Sequence, residues 1–304
     1  MLLIITLGVL SAASFYMLDY SLKPVYKKGN DIEASYLWLQ KEFPQTTSWL
    51  DSLTKHKALR DTFIIHQNRK LHALYVRAPQ ATPFTALLLH GYTDNAVRML
   101  AVGYIYHHLL GYNLLLPDLH AHGQSQGEAI QMGWKDRLDV LHWSTLANEI
   151  FATQSKQIVH GISMGGFLTT VLSGMNIPQM QAFVDDCGYT SVWDEFAGEL
   201  RKTFDLPPFP LMYTSSLLCK LLYGWSFGEA DALPLVSRST KPIFFIHGDQ
   251  DTFVPTEMGV RLYDAKPQPK ELWLVPGVAH AHSYQTFPEE YERRVITFAK
   301  EHFH

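Results

Sequence analysis

Two cysteines, Cys187 and Cys219, are all that the 304 residues contain. Two are too few for a disulfide framework, and they do not fix the redox compartment. An excess of one charge is also missing. Twenty-five Lys and Arg against 29 Asp and Glu leave a formal charge of −4, so there is no basic footprint and nucleic acid is not expected as a partner. No internal repeat or low-complexity segment is present. No Walker or dinucleotide fingerprint follows a strand, so no cofactor is expected. The pairs His107/His108, His120/His122 and His280/His282 come without H-E-x-x-H or Cys/His ligand spacing, and no metal is expected. What the chain has is apolar surface. Its 47% hydrophobic, 13% aromatic and 18% charged residues are an ordinary globular composition, with enough apolar residues for one large core.

The first long hydrophobic run opens the chain. Met1 to Leu18 is apolar apart from Thr6, Ser11, Ser14 and Tyr16. It is at the short end of the length a membrane span needs. Lys23, Lys27 and Lys28 follow, which by the positive-inside tendency puts the rest of the chain in the cytoplasm. Phe15, Tyr16 and Tyr20 would then sit at the interface. Ser11-Ala12-Ala13-Ser14 offers a small-residue cleavage site, although the basic front of a signal peptide is absent. A buried helix of the folded domain is the third reading. The expectation carried forward is an anchor or signal segment over residues 1–22, giving membrane association through the N-terminus, with secretion or a cytoplasmic location as alternatives.

Beyond it, Asp31 can cap a helix carrying Ala34, Leu37 and Trp38. Phe63–His66 and Leu71–Val76, joined by a turn at Asn68–Lys70, spell a β-hairpin. Thr85–Leu89, Tyr112–Leu116, Gln157–Val159, Gln181–Asp186, Pro242–Ile246 and Glu271–Val275 are short apolar runs, as in strands buried on both faces. Helical stretches lie between them, including Met99–Leu110, Trp134–Ala152 and Glu289–Phe303. This alternation implies an α/β fold: a doubly wound, mostly parallel sheet with the hairpin as an antiparallel edge. Ligands in such sheets sit beyond the carboxyl ends of the strands. The polar loops follow those ends: His90–Asn95, Asp118–Gly127, Ser163, Asp185-Asp186, His247–Asp251 and His280. Between residues 188 and 241 the alternation lapses. The insertion carries Trp193, Phe196, Phe204, Phe209, Tyr213, Tyr223, Trp225 and Phe227. It is expected to cap the active-site mouth and line an apolar pocket.

The centre of the pattern is Gly161-Ile-Ser163-Met-Gly165, preceded by an apolar strand and followed by an apolar helix. G-x-S-x-G in that context is a nucleophile elbow, whose glycines let strand and helix approach while the serine is held at the apex. A serine hydroxyl needs a neighbouring base, and the base needs an orienting group. The later strand ends supply them in His247-Gly248-Asp249-Gln250-Asp251 and His280-Ala281-His282.

Together with His90-Gly91-Tyr92-Thr93 and Pro117-Asp118-Leu119-His120-Ala121-His122-Gly123-Gln124-Ser125, these segments resemble the α/β-hydrolase superfamily, in its serine esterase, lipase and serine-aminopeptidase-like branch. The hydrophobic N-terminus, the Gly133–Asp139 segment and the short cap resemble its bacterial, often membrane-anchored members. The resemblance implies Ser163 as nucleophile, His280 as general base and acid, and Asp251 as orienting carboxylate. Asp249 then has a structural role. Asp186 is a reserve acid and His282 a rival base. The backbone N–H groups of Tyr92 and Met164 are the implied oxyanion hole. His120 departs from the family pattern, which has Arg there. The expected activity is hydrolysis of a small-molecule carboxylic ester through an acyl-enzyme. The alternatives are a peptidase or amidase on the same triad, and a non-catalytic ligand-binding protein of the same fold. The domain plan is residues 1–22, then a hydrolase domain over 23–304 with the cap at about 188–241.

Overall fold

The short apolar runs form strands because residues alternating along each run face two separate cores. Leu87 and Leu89 point into one, and Ala86 and Leu88 into the other. The structure, a computed structural model, describes the backbone of residues 2–24, 31–151 and 154–303, with side chains from Gly8 onward in those spans. Eight strands make one sheet: β1 Arg60–His66, β2 Arg69–Val76, β3 Phe84–Leu89, β4 Asn113–Pro117, β5 Lys156–Ile162, β6 Met180–Asp186, β7 Ile243–Gly248 and β8 Lys270–Val275. Their order is β1-β2-β4-β3-β5-β6-β7-β8. The β1/β2 and β2/β4 pairs are antiparallel and the remaining pairs parallel. The expected hairpin is thus the antiparallel edge of a parallel sheet.

The helices are α1 Leu2–Leu22, α2 Ile32–Glu42, α3 Thr47–Lys55, α4 Leu100–Tyr104, α5 Asp136–Phe151, α6 Met164–Ser173, α7 Val192–Phe204, α8 Leu211–Tyr223, α9 Leu233–Val236, α10 Thr256–Ala265, α11 Ser283–Thr286 and α12 Pro288–His302. Asp31 caps α2 as expected, accepting from Ala34 N at 2.8 Å. The Met99–Leu110 stretch is α4 continued by a wider π turn over Ile105–Leu109. Ala152, the expected end of α5, lies outside the described residues. From β3 the chain moves outward to β4, then returns to β5 on the other side of β3. The strand order therefore reverses between β3 and β5, and a ligand crevice opens at such a switch point. Leu89 pairs with Gly161, which brings the His90 loop beside the Ser163 turn.

The N-terminal helix differs from the expected anchor. Among the described residues no helix is long and apolar enough to cross a membrane. The second half of α1 instead has one face committed to the domain. Ser14, Leu18 and Leu22, spaced by four, are buried, whereas Val9, Phe15, Tyr16 and Tyr20 are exposed. Ser14 Oγ lies 2.7 Å from Thr214 Oγ1 of α8. Leu22 O accepts from Ile130 N at 2.7 Å, and Ser21 O accepts from the Tyr92 hydroxyl at 2.9 Å. This packing accounts for Leu18 and Leu22, since burying a leucine side chain contributes roughly 2 kcal/mol. Of the lysines expected to orient an anchor, Lys27 and Lys28 lie outside the described residues, and Lys23 pairs with Asp19 at 3.3 Å.

The insertion between β6 and β7 holds α7, α8 and α9. Its aromatics divide in a way their abundance did not foretell. Trp225 and Phe227 are buried in the core and Phe209 and Tyr213 are exposed. Phe196, Phe204 and Phe227 line a cavity of about 40 Å³ with Met17 and Tyr20 of α1.

Candidate active site

The turn from β5 into α6 is tight enough that two glycines are obligatory. A Cβ on Gly161 would stand 2.0 Å from Gly165 O, and a Cβ on Gly165 would stand 2.0 Å from Leu89 O. Neither contact can be relieved by moving a side chain, because both partners are backbone. Between them Ser163 has φ 58° and ψ −114°. A non-glycine residue held there costs on the order of 1–3 kcal/mol. Its N–H donates to Asp186 O at 2.8 Å, which fixes the apex to the end of β6.

Three strand ends converge on the serine. His280 Nε2 is 2.8 Å from Ser163 Oγ, and His280 Nδ1 is 2.7 Å from Asp251 Oδ2. With Asp251 ionised, Nδ1 carries the proton and Nε2 is free to accept from the hydroxyl. The carboxylate is anchored on its other oxygen, where Oδ1 accepts from Phe253 N and Val254 N, both at 2.9 Å. His247 Nε2 donates to Val254 O at 2.9 Å and lies 3.3 Å from Asp251 Oδ2. Burial alone would push the Asp251 carboxyl up. The hydrogen bonds and charges of His247 and His280 outweigh it and hold the group well below the usual carboxylate range. Phe253, 40% exposed, lies against the His280 ring with centroids 5.0 Å apart.

The His90 loop flanks Ser163 from β3. A Cβ on Gly91 would sit 3.5 Å from Ser163 Cβ, so the loop's backbone at Gly91 lies against the serine. The loop is clamped from the β4 side. Leu119 N donates to His90 Nε2 at 2.9 Å, Thr93 N donates to His122 Nε2 at 3.0 Å, and Ala96 N donates to Asp118 Oδ1 at 2.7 Å. His122 must be neutral to accept; burial, helped by the charge of His90, pulls it down to about 3.

The other candidates from the sequence stand elsewhere. Asp186 accepts from Tyr291 Oη at 2.8 Å, and burial raises it to about 7. Tyr291 in turn meets His160 Nε2 at 2.9 Å, making a buried network beneath the elbow. Asp249 Oδ1 accepts from Gly277 N at 2.7 Å and so ties the β7 and β8 loops. His282 is exposed, with its carbonyl accepting from Thr286 Oγ1. His120 is accommodated by two carboxylates. Its N–H donates to Asp136 Oδ1 at 3.0 Å, and its Nδ1 lies 3.8 Å from Asp139. Cys187 and Cys219 are free and buried, and desolvation raises the Cys187 thiol well above its ordinary value. Cys187, Asp251 and His280 form one group of metal-capable atoms within 4.8 Å, and Glu271, Glu301 and His302 form another. The first overlaps the Ser163 site, and the second holds an ordinary His302–Glu271 ion pair at 3.1 Å.

With this geometry in hand, comparison with known proteins decides the family. The model of the prolyl oligopeptidase family matches residues 120–304. The chain belongs to that family. The uncharacterized protein YqkD of Bacillus subtilis is 30% identical over 74% of this chain and 73% of its own length. The esterase Pf2001 of Pyrococcus furiosus superposes with a TM-score of 0.65 at 26% identity, over 81% of this chain and 93% of that one. An acylaminoacyl peptidase of Pyrococcus horikoshii shares the fold, with a TM-score of 0.60 at 17% identity, over 80% of this chain and 41% of that one. This member of the prolyl oligopeptidase family is therefore a serine hydrolase with the α/β-hydrolase fold.

His247, which steadies Asp251, and the His90/His122 clamp were not assigned roles from the sequence, although all three stand inside the recognised motifs. Glu195 carried no sequence signal, because a glutamate in the first turn of an amphipathic helix is normally a solvated, dipole-favoured group.

Proposed function

We propose that the protein is a carboxylesterase that works through an acyl-enzyme on Ser163. The observation that carries this is the unbroken line Ser163 Oγ–His280 Nε2, 2.8 Å, and His280 Nδ1–Asp251 Oδ2, 2.7 Å. His280 takes the hydroxyl proton as Ser163 attacks the ester carbonyl. Asp251 holds the tautomer and offsets the charge of the imidazolium that forms. The N–H groups of Met164, at the start of α6, and of Tyr92 receive the developing oxyanion. His280 then returns its proton to the leaving alkoxide, and water repeats the sequence to release the acid. In this reading residues 188–241 cap the hydrolase domain, and the apolar slot between α1 and α7 receives the acyl chain. A fluorophosphonate should label Ser163. Turnover of short p-nitrophenyl esters should fall roughly ten-thousand-fold or more in Ser163→Ala. Unlabelled serine in folded protein would end this account.

A peptidase or amidase on the same residues is the second reading. It is favoured by the match to the prolyl oligopeptidase family. Aminoacyl anilides assayed beside esters of the same acyl group separate the two, because amide cleavage depends on protonating a much poorer leaving group.

A further inference from the structure

The first turn of α7 contains a carboxyl group for which the fold itself has no use. Ser191 caps the helix, its Oγ accepting from Asp194 N at 3.0 Å. The neighbouring acids are occupied: Asp194 by Thr190 at 2.8 Å and Arg261 at 3.2 Å, and Glu199 by Lys202 at 3.7 Å. Glu195 is only 4% exposed, and its Oε2 has no hydrogen-bond partner among the described residues. Buried polar atoms are nearly always paired, and one left over beside a reaction centre calls for an explanation.

Its helix runs beside that centre. Lys202 Nζ, two turns on, donates to Thr252 O at 3.2 Å, so α7 lies along the loop that carries Asp251. Glu195 and Tyr189 lie close enough for the charge of one to raise the other. Tyr189 stacks on Phe167 of α6, the helix that begins at the nucleophile, with centroids 4.5 Å apart. The next residue, Phe196, and Leu200 beyond it join Met17, Tyr20, Phe204 and Phe227 around the apolar slot, and Glu199, one turn on from Glu195, lines it too. Glu195 thus sits on the helix that walls the slot on one side and runs along the Asp251 loop on the other.

We propose that Glu195 is a specificity-determining residue whose carboxyl donates a hydrogen bond to a carbonyl or hydroxyl oxygen on the acyl part of the substrate. The enzyme would then select acyl groups that carry a second oxygen over plain alkanoyl chains. The proposal rests on the esterase reading above and names its substrate class. Donation requires a proton, and the surroundings supply the reason for one. Burial first, then the charges of Glu199 and Asp251, raise Glu195 to about 8, against a small opposing effect from Lys202. Tyr189 faces it as a neutral phenol. A cationic substrate group would need the opposite state, a carboxylate buried beside ionised Asp251.

The test compares kcat/KM for p-nitrophenyl pentanoate and p-nitrophenyl levulinate, which has the same chain length and one added keto oxygen. Wild type should prefer levulinate by about tenfold, the usual scale for one satisfied hydrogen bond in a site. Glu195→Gln, which still has N–H donors, should keep the preference, and Glu195→Met, of similar size without a donor, should lose it. Because both esters share the same leaving group and reaction, their ratio cancels any pH dependence common to the two. In wild type the ratio should fall above pH 8 through a rise in KM for levulinate, and in Glu195→Gln it should stay flat. A wild-type ratio near one overturns the proposal. So does a preference that survives in Glu195→Met. Loss in Glu195→Gln, with amine-bearing esters favoured above pH 8, overturns it in favour of a carboxylate that binds cations. Failure of the esterase reading is separately visible as an unlabelled Ser163 and no turnover of either ester.

Discussion

Asp251 divides its work between two oxygens. Oδ1 is consumed by the backbone of Phe253 and Val254, so the carboxylate cannot rotate. Oδ2 is left to His280, with His247 at its flank. Asp251→Asn should therefore lower kcat by about a thousand-fold or more, because an amide no longer dictates the imidazole tautomer. Asp186→Asn, one strand away, should stay within a few-fold of wild type in the same ester assay, since Asp186 holds Tyr291 and not the base. The residues gathered at the serine were legible because each is the polar interruption that follows an apolar strand. The groups that steady them were not. Whether His247 turns toward Asp251 depends on Gly259 of α10, where a Cβ would stand 2.4 Å from His247 Nδ1. That contact joins two elements whose packing no local pattern specifies.

At the scale of elements, the first helix is the clearest test. Leu18 is 2% exposed, whereas Phe15 is 53% exposed. Leu18→Ala should cost about 2–4 kcal/mol in urea unfolding, whereas Phe15→Ala should change stability by less than about 0.5 kcal/mol. Equal effects would show that α1 is not docked as described. The strand-and-helix alternation was readable because burial on both faces of a parallel sheet leaves continuous apolar runs. The role of α1 was not, for a physical reason. An uncharged apolar run fits a bilayer or a groove equally well, and its groove is made by α8, with Ser14 and Thr214 lying 200 positions apart. Which aromatics of residues 188–241 are buried was not readable either. Aromatic content says that a large apolar area must be covered, but not whether Trp225 turns inward to the core or outward to a cavity.

Across the molecule, buried ionisable groups set how stability responds to pH. Asp186 at about 7 and Glu195 at about 8 are raised mainly by burial. His72 and His247 are also raised, their aspartate partners outweighing burial. In the window from about 6.5 to 8 the folded state holds protons that the unfolded chain has already released. Stability must therefore fall as pH rises, by roughly 1.4 kcal/mol per unit at most for each group that keeps its proton only in the folded state. Thermal unfolding followed from pH 6.5 to 8 should show this decline, and Asp186→Asn should flatten it. A rising melting temperature over that range would contradict the assignment. Between about 3 and 6.5 His122 and His160, both held near 3 by burial, act with the opposite sign, because there the unfolded chain accepts protons that they resist. One further feature acts over the same span. The phenol of Tyr92 grips the last turn of α1 at Ser21, while Gly91, the residue before it, stands beside Ser163. With the bonds from Leu22 to Ile130 and from Ser14 to Thr214, that grip fastens the leading helix to the surroundings of Ser163, so displacing the front of the chain would disturb them.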